Sequence, residues 1–192
     1  MKNLNICIDI DGTLTNPYYW LDKTAEYFNK IVRHEDFVEY EYSKVIGISQ
    51  NDYNEFYDKY KFKYHSKDVL RFKARDIINR FYLANNIFFV TAREGSLEML
   101  TFSYLNRKNI KFDKLFVLGT HHKVEKAKEL KCDVFIEDSP YNALELSNAG
   151  FKVLLMDTTY NKTISHPNIV RVYDWIDVEE EINHLILAEK AI

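Results

Sequence analysis

The chain alternates short, almost continuous apolar segments with longer amphipathic segments. The apolar segments do not show the polar alternation of strands that face solvent on one side. They therefore predict parallel strands that are buried on both faces and covered by helices. The five predicted strands are Leu4–Ile8, Ile87–Val90, Leu115–Leu118, Val134–Ile136 and Val153–Met156.

Apolar residues recur at helical spacing between these strands. Ser139 is a favourable N-cap, Pro140 suits the first helical position, and Gly150 is placed to end that helix. The alternation of strands and helices predicts an α/β fold, with an open, Rossmann-like parallel sheet and helices on both of its faces. The predicted helices cover roughly residues 70–81, 97–105, 123–130, 139–148 and 175–188.

One segment, residues 16–67, interrupts the alternation directly after the first strand. It is rich in aromatic and charged residues and predicts helices, one of which begins after Ser49 with Asp52 in its first turn. A loop of this length in a compact domain is usually functional or forms a small domain. We therefore expect a small α-helical cap on a core formed by residues 1–15 and 68–192. A helical elaboration that only packs on the core is the alternative.

The composition is that of an ordinary globular chain, with 192 residues, 46% apolar residues and 29% charged residues. A net charge of −3 gives no basic footprint for nucleic acid. No window approaches the roughly 20 apolar residues that span a bilayer. Cys7 and Cys132 follow no metal or redox spacing. These features predict a cytoplasmic protein that contacts neither nucleic acid nor membrane.

Two carboxylates, Asp9 and Asp11, follow the first strand in the sequence Asp-Ile-Asp-Gly-Thr. Carboxylates are rarely left in buried surroundings without a cation or hydrogen-bond donors. Asp-Gly is also common in turns, so an ordinary turn is the competing interpretation. An EF-hand calcium loop is excluded because the residues after Gly12 lack the further oxygen ligands and the glutamate that it needs.

Polar residues also follow the other predicted strands. Thr91 and Arg93 come after the second, Lys123 after the third, and Glu137 with Asp138 after the fourth. Ligands of open α/β sheets bind beyond the carboxyl ends of the strands, so we expect these side chains to meet there. A carboxylate nucleophile, a divalent cation, a lysine and hydroxyl or backbone donors are the components of phosphoryl transfer.

Some neighbouring residues have two interpretations. Lys126 competes with Lys123 for the phosphate, and Lys123 is favoured because it begins its helix next to the strand end. Arg93 is either a phosphate or substrate contact or a salt-bridge residue. His121 and His122, adjacent in a loop, are more typical of solvated side chains than of metal ligands.

Three aromatic residues closely follow the Asp-Ile-Asp-Gly-Thr sequence, which we call the first motif, namely Tyr18, Tyr19 and Trp20. Their rings either stack on a ring of the substrate or form the interface between cap and core. We count them as candidate substrate-binding residues.

The ordered strand-end residues resemble the four motifs of the haloacid dehalogenase (HAD) superfamily of phosphatases, from the first strand to the fifth. The resemblance implies that Asp9 is the nucleophile and forms an aspartyl-phosphate, and that Asp11 is the general acid and base. It further implies that Mg²⁺ is held by Asp9, the Asp11 carbonyl and Asp138, with Thr91 and Lys123 binding phosphate. Glu137 is assigned a supporting role.

Within the superfamily the chain looks most similar to the cytosolic 5′(3′)-deoxyribonucleotidases and their bacterial relatives. The early small cap, the short distance from Lys123 to Asp138 and the acidic fourth motif carry this likeness. Thr13 and Asn16 depart from that group, which often has valine and a further aspartate there. The likeness implies a Mg²⁺-dependent phosphomonoesterase for a small phosphorylated metabolite, such as a nucleoside monophosphate.

Other functions remain open at this stage. A phosphotransferase or mutase would use the same residues, and a non-catalytic HAD-fold binding module would keep only the fold. A signalling receiver domain is disfavoured because its acids are adjacent and its acceptor lies on a later strand. A phosphonatase usually lacks an acid at the position of Asp11.

Overall fold

The computed structural model describes residues 4–189, which form a six-stranded parallel sheet in the order β3-β2-β1-β4-β5-β6. The predicted α/β class, with an open parallel sheet, is confirmed. All five predicted strands are present, and a sixth lies at the edge. The strands are β1 (Asn5–Ile8), β2 (Asn86–Thr91), β3 (Lys114–Val117), β4 (Val134–Glu137), β5 (Lys152–Met156) and β6 (Ile169–Val172).

Eight α-helices accompany the sheet within the described part of the chain. The predicted helices are found with boundaries shifted by a few residues, as expected for helix ends. None of the eight is long and apolar enough to cross a lipid bilayer. The helices are α1 (Tyr19–Tyr27), α2 (Tyr42–Ile46), α3 (Gln50–His65), α4 (Ala74–Phe81), α5 (Glu98–Arg107), α6 (Val124–Glu129), α7 (Pro140–Asn148) and α8 (Trp175–Glu189).

Strand β1 lies inside the sheet, and its position places its carboxyl end where a ligand site can form. It pairs with β2 on one side and β4 on the other. Ile6 and Ile8 point to one face, into a core with Trp175 of α8, while Cys7 points to the other, into a core with Leu146 of α7. The strand order reverses between β1 and β4, and such switch points open a crevice at the carboxyl ends of the strands.

The inserted segment leaves and rejoins the core at one point. An antiparallel bridge joins Thr15 to Leu70, and the Asn16 N–H donates to the Val69 carbonyl at 2.7 Å. Helices α1 to α3 lie in the chain between the two bridged residues, Thr15 and Leu70. Helix α3 begins as predicted, because the Ser49 hydroxyl accepts a hydrogen bond from the Asp52 N–H at 3.1 Å.

Two local predictions differ from the structure. Leu21, Ala25, Phe28 and Val32 lie at helical spacing in the sequence and predict a helix that reaches Val32, but helix α1 ends at Tyr27, and Asn29 adopts a left-handed conformation with φ of 53°. Strand β6 was not predicted because three of its four residues are only partly buried at the sheet edge. Its sequence therefore lacks the continuous apolar character of the inner strands.

Candidate active site

The turn after β1 packs directly against the end of β4. Gly12 has a φ of +88°, and a Cβ atom at this position would overlap the Asp138 carboxylate. Glycine is required here both by the backbone conformation and by this close approach. The Asp9 N–H still continues the sheet by donating to the Ile136 carbonyl at 3.0 Å. The first and fourth sequence motifs are thereby brought together.

Lys123 joins two buried carboxylates on neighbouring strands. Its ammonium forms ion pairs with Asp9 and, at 2.8 Å, with Glu137, and all three side chains are almost fully buried. The second Glu137 oxygen accepts backbone N–H bonds from Ser139 at 3.0 Å and Asp138 at 3.3 Å. Burial opposes a charged ammonium, but Asp9 and Glu137 outweigh it and raise the pKa of Lys123. The lysine therefore remains a cation.

Asp138 is held by two hydroxyl groups. Thr13 donates to one carboxylate oxygen at 2.9 Å, and the Tyr160 hydroxyl donates to the other. Burial and the neighbouring Glu137 raise the pKa of Asp138 to about 7. Burial also raises the pKa of Asp9, although the Lys123 charge acts in the opposite direction. For both Asp9 and Asp138, the nearby positive charge does not offset the cost of burying the ionised carboxylate.

The donor set at this point suits a divalent cation. Carboxylate oxygens of Asp9, Glu137 and Asp138 lie within 4.8 Å of one another. Three carboxylates face one ammonium, and the charge of Arg71 also acts on Asp138, so negative charge remains in excess when all three are ionised. The Glu137 oxygens accept bonds from the Lys123 ammonium and from backbone N–H groups, whereas the Asp138 oxygens accept only from hydroxyl groups, so Asp9 and Asp138 are the better candidate ligands. An all-oxygen set with few carboxylates is the type that Mg²⁺ binds.

Asp11 lies in a second, differently organised cluster. Arg93 binds its carboxylate bidentately, from Nε at 2.8 Å and Nη2 at 2.6 Å. The His65 Nδ1 atom lies 3.5 Å from Asp11, and the Asp68 carboxylate lies 3.7 Å from Arg93. Burial alone would raise the pKa of Asp11, but the charge and hydrogen bonds of Arg93, with His65 nearby, lower it well below its usual range.

The other predicted residues have definite places. Thr91 is buried beside the cavity described below, and its hydroxyl accepts the Arg93 N–H bond at 3.2 Å. Lys126 pairs with Glu129 instead of reaching Asp9, and its ammonium lies 4.6 Å from the centre of the Phe116 ring. The structure thus brings Lys123, and not Lys126, to the first aspartate.

A cavity of about 330 Å³ separates the strand ends from the inserted segment. The core contributes the aspartates, Thr91 and Arg93, and the inserted segment contributes aromatic and amide side chains. The sequence showed the aromatic residues of α3 but not that they face this site. The lining residues are Asp9, Asp11, Trp20, Tyr40, Glu41, Tyr42, Gln50, Tyr53, Tyr57, His65, Thr91, Ala92, Arg93 and His121.

Of the three aromatic residues after the first motif, Trp20 lines this cavity. Tyr18 instead stacks on His34 with ring centres 4.2 Å apart, and its hydroxyl donates to Thr159. Tyr19 makes an edge contact with Tyr64 at 6.4 Å. Tyr18 and Tyr19 lie outside the cavity lining because the first turn of α1 directs their rings to other parts of the protein.

Comparison with known proteins agrees with this arrangement, although no family model matches the chain. A nucleotidase of Clostridium acetobutylicum is 50% identical over 192 residues, the full length of both chains. A haloacid dehalogenase-like hydrolase of Streptococcus pneumoniae has a TM-score of 0.68 at 14% identity, covering 92% of this chain and 97% of that one.

The HAD hydrolase YfnB of Bacillus subtilis, solved with bound magnesium, has a TM-score of 0.63 at 13% identity, covering 95% of this chain and 100% of that one. These two structures establish the likeness of fold, and the clostridial relative establishes the family. The chain therefore has the fold of haloacid dehalogenase-like hydrolases, and it belongs to the family of the clostridial nucleotidase.

Proposed function

We propose that this phosphomonoester hydrolase is Mg²⁺-dependent and works through a phosphoryl group carried on Asp9. Its substrate is a small phosphorylated metabolite, such as a nucleoside monophosphate. The observation that carries the proposal is the Asp9 carboxylate, which lines the cavity while contacting Lys123 and lying beside Asp138. A nucleophile, a cation and a candidate metal ligand thus meet at one carboxyl edge of the sheet.

In the first step an Asp9 oxygen attacks phosphorus, and the bond from phosphorus to the leaving oxygen breaks. Lys123 and Thr91 stabilise the charge on the phosphoryl oxygens. Asp11 gives its proton to the leaving oxygen. The substrate phosphate supports this role, because its negative charge beside Asp11 raises the affinity of that carboxylate for a proton.

In the second step Asp11, now ionised, removes a proton from water, whose oxygen attacks the aspartyl-phosphate. The bond between phosphorus and the Asp9 oxygen breaks, which restores the carboxylate and releases phosphate. Arg93 favours the ionised form of Asp11 once the leaving oxygen has taken its proton, as this step requires.

The proposed cation would be held by Asp9 and Asp138, with the Asp11 carbonyl contributing as in the family. When bound, Mg²⁺ screens the repulsion between a carboxylate and a phosphate dianion and stabilises the charge that develops on phosphoryl transfer. Thr13 and Tyr160 hold the Asp138 carboxylate in place close to Asp9.

The inserted segment, residues 16–67, serves as the cap that selects the leaving group. Trp20, Tyr53 and Tyr57 give the cavity flat apolar walls, and Gln50 adds an amide. Such walls suit a planar ring, because aromatic rings stack on one another. The name of the clostridial relative also favours a nucleotide.

A phosphate-release screen tests the proposal. The metal-free protein is offered nucleoside monophosphates, sugar phosphates and 4-nitrophenyl phosphate, with Mg²⁺ or with excess EDTA. We expect release that requires Mg²⁺ and is fastest with one or more nucleoside monophosphates. Full activity in EDTA would contradict the metal dependence, and equal rates with sugar phosphates would contradict the nucleotide preference.

A further inference from the structure

Arg93 is the most buried cation of the Asp11 cluster, with a side chain that is 1% exposed. Three of its nitrogen atoms take part in hydrogen bonds. Nε and Nη2 donate to the two Asp11 oxygens, and Nη1 donates to the Thr101 hydroxyl at 3.1 Å. The guanidinium fork is therefore directed at protein groups, and its planar geometry matches the two oxygens of a carboxylate.

A phosphate-binding role for Arg93 would require a different arrangement. The guanidinium would have to break two charge-assisted bonds and leave the Asp11 charge without its partner. The phosphate already has another buried cation, because Lys123 contacts the nucleophile Asp9. The two buried cations therefore contact different aspartates: Lys123 contacts Asp9, and Arg93 contacts Asp11.

The inserted segment completes the surroundings of Asp11. His65, the last residue of α3, is buried, and its Nδ1 atom lies 3.5 Å from the Asp11 carboxylate without a hydrogen bond of its own. Lys61 of the same helix pairs at 2.8 Å with Glu94, the residue after Arg93. The cap helix is therefore attached to the same loop that holds Arg93.

We propose that Arg93 is a positioning residue that fixes the Asp11 carboxylate for proton transfer, with His65 of the cap completing the support. This inference rests on the proposed function, because it concerns how the general acid and base of that reaction is oriented. It replaces the expectation that Arg93 binds substrate. It also makes the position of Asp11 depend on the docking of α3 against the core.

The test compares Arg93→Gln and Arg93→Lys with Arg80→Gln as the matched control. Arg80 also binds a carboxylate bidentately, with both nitrogens 2.8 Å from Glu179, but it joins α4 to α8 on the surface. Each variant is assayed with an alkyl phosphate and with 4-nitrophenyl phosphate, whose leaving group needs no proton. First-turnover and steady-state rates are measured separately, and thermal unfolding checks the fold.

We expect Arg93→Gln to lower kcat for the alkyl phosphate by roughly 10²-fold, the scale of a 1 Å misplacement, with KM changed less than about threefold. With 4-nitrophenyl phosphate the first turnover should remain near the parent rate. The steady-state rate should fall, because water attack still needs Asp11. Arg93→Lys should resemble Arg93→Gln, since an ammonium cannot make the bidentate contact. His65→Gln should show the same pattern more weakly.

A rise in KM for both substrates, or restoration of activity by Arg93→Lys, would show that the charge binds phosphate and would overturn the inference. Equal slowing of the first turnover with both leaving groups would also overturn it. If Arg93→Gln does not fold, His65→Gln and Arg93→Lys decide the same question. A parent protein that releases no phosphate from any substrate would instead contradict the proposed function.

Discussion

Asp9 and Asp11 are two residues apart in the chain but lie in opposite electrostatic surroundings. Asp9 shares Lys123 with Glu137 and has Asp138 nearby, so three carboxylates face one ammonium. The pKa values of Asp9 and Asp138 are raised in this cluster, chiefly by burial. Arg93 binds Asp11 bidentately and lies farther from Asp68, at 3.7 Å. Its charge and hydrogen bonds lower the pKa of Asp11.

The second cluster also balances its remaining charges. Burial, followed by the Asp11 charge, raises the pKa of Asp68 to about 8, so this carboxyl group is largely protonated at neutral pH. Burial and the Arg93 charge lower the pKa of His65, which favours the neutral ring. In the Asp11 cluster the charge of Arg93 therefore balances the charge of Asp11. In the Asp9 cluster negative charge remains in excess, and this is the half of the site that a divalent cation would complete.

Removal of the proposed nucleophile should have the largest effect. Asp9→Asn replaces the attacking carboxylate by a neutral amide, so the phosphoryl group has no acceptor. We expect activity to fall by on the order of 10⁴-fold or more, as for other covalent nucleophiles. Rapid acid quenching with labelled phosphate ester should trap no phosphoprotein. Labelled protein at the parent level would show that another residue is the acceptor.

Removal of the shared cation should lower stability. Lys123→Met leaves Asp9 and Glu137 buried without their partner, which costs about 3–5 kcal/mol in comparable buried pairs. The matched control is Lys128→Met, whose exposed pair with Glu125 contributes at most about 0.5 kcal/mol. Urea unfolding of metal-free protein measures the two differences. Equal unfolding free energies for the two variants would contradict the role of Lys123 as the compensating charge.

Asp68 should make stability depend on pH. Its folded pKa of about 8 lies above the unfolded value of about 3.9, so the folded state binds an extra proton between these values. Stability therefore falls as pH rises through this window, by at most about 1.4 kcal/mol per pH unit from this group.

The comparison of parent protein with Asp68→Asn isolates that contribution. The variant has no proton to lose, so the parent should lose stability relative to it between pH 5 and pH 8 in EDTA. Asp58→Asn, which removes an exposed carboxylate, is the control and should show little such change. A constant difference between the parent and Asp68→Asn would show that Asp68 is ionised throughout.

The sequence predicts the Asp9 half of the site better than the Asp11 half, for a physical reason. Parallel strands place their carboxyl ends on one edge, so Asp9, Lys123 and Asp138 converge once the strands are recognised. The partners of Asp11 depend instead on how the inserted segment returns to the core. His65 and Asp68 come from that return, and no periodicity in the sequence indicates their approach.

Other differences have the same origin. The sequence left Arg93 between a substrate contact and a salt bridge, and its pairing with Asp11 depends on packing that the sequence does not show. Tyr160 reaches Asp138 from a short helical turn after β5 and also contacts Phe37 of the inserted segment. An isolated tyrosine there carries no signal of such contacts. The strands and motifs follow local rules, whereas these residues follow tertiary packing.

Magnesium binding to the metal-free protein tests the contrast between the two clusters most directly. Carboxylates of Asp11, Asp68 and the ring of His65 also lie within 4.8 Å of one another, so both clusters have the spacing of a metal site. Isothermal titration of the parent, Asp138→Asn and Asp68→Asn distinguishes them. We expect one Mg²⁺ per chain in the parent, affinity weakened at least about tenfold, or 1.4 kcal/mol, in Asp138→Asn, and little change in Asp68→Asn. Loss of binding in Asp68→Asn with retention in Asp138→Asn would contradict the account.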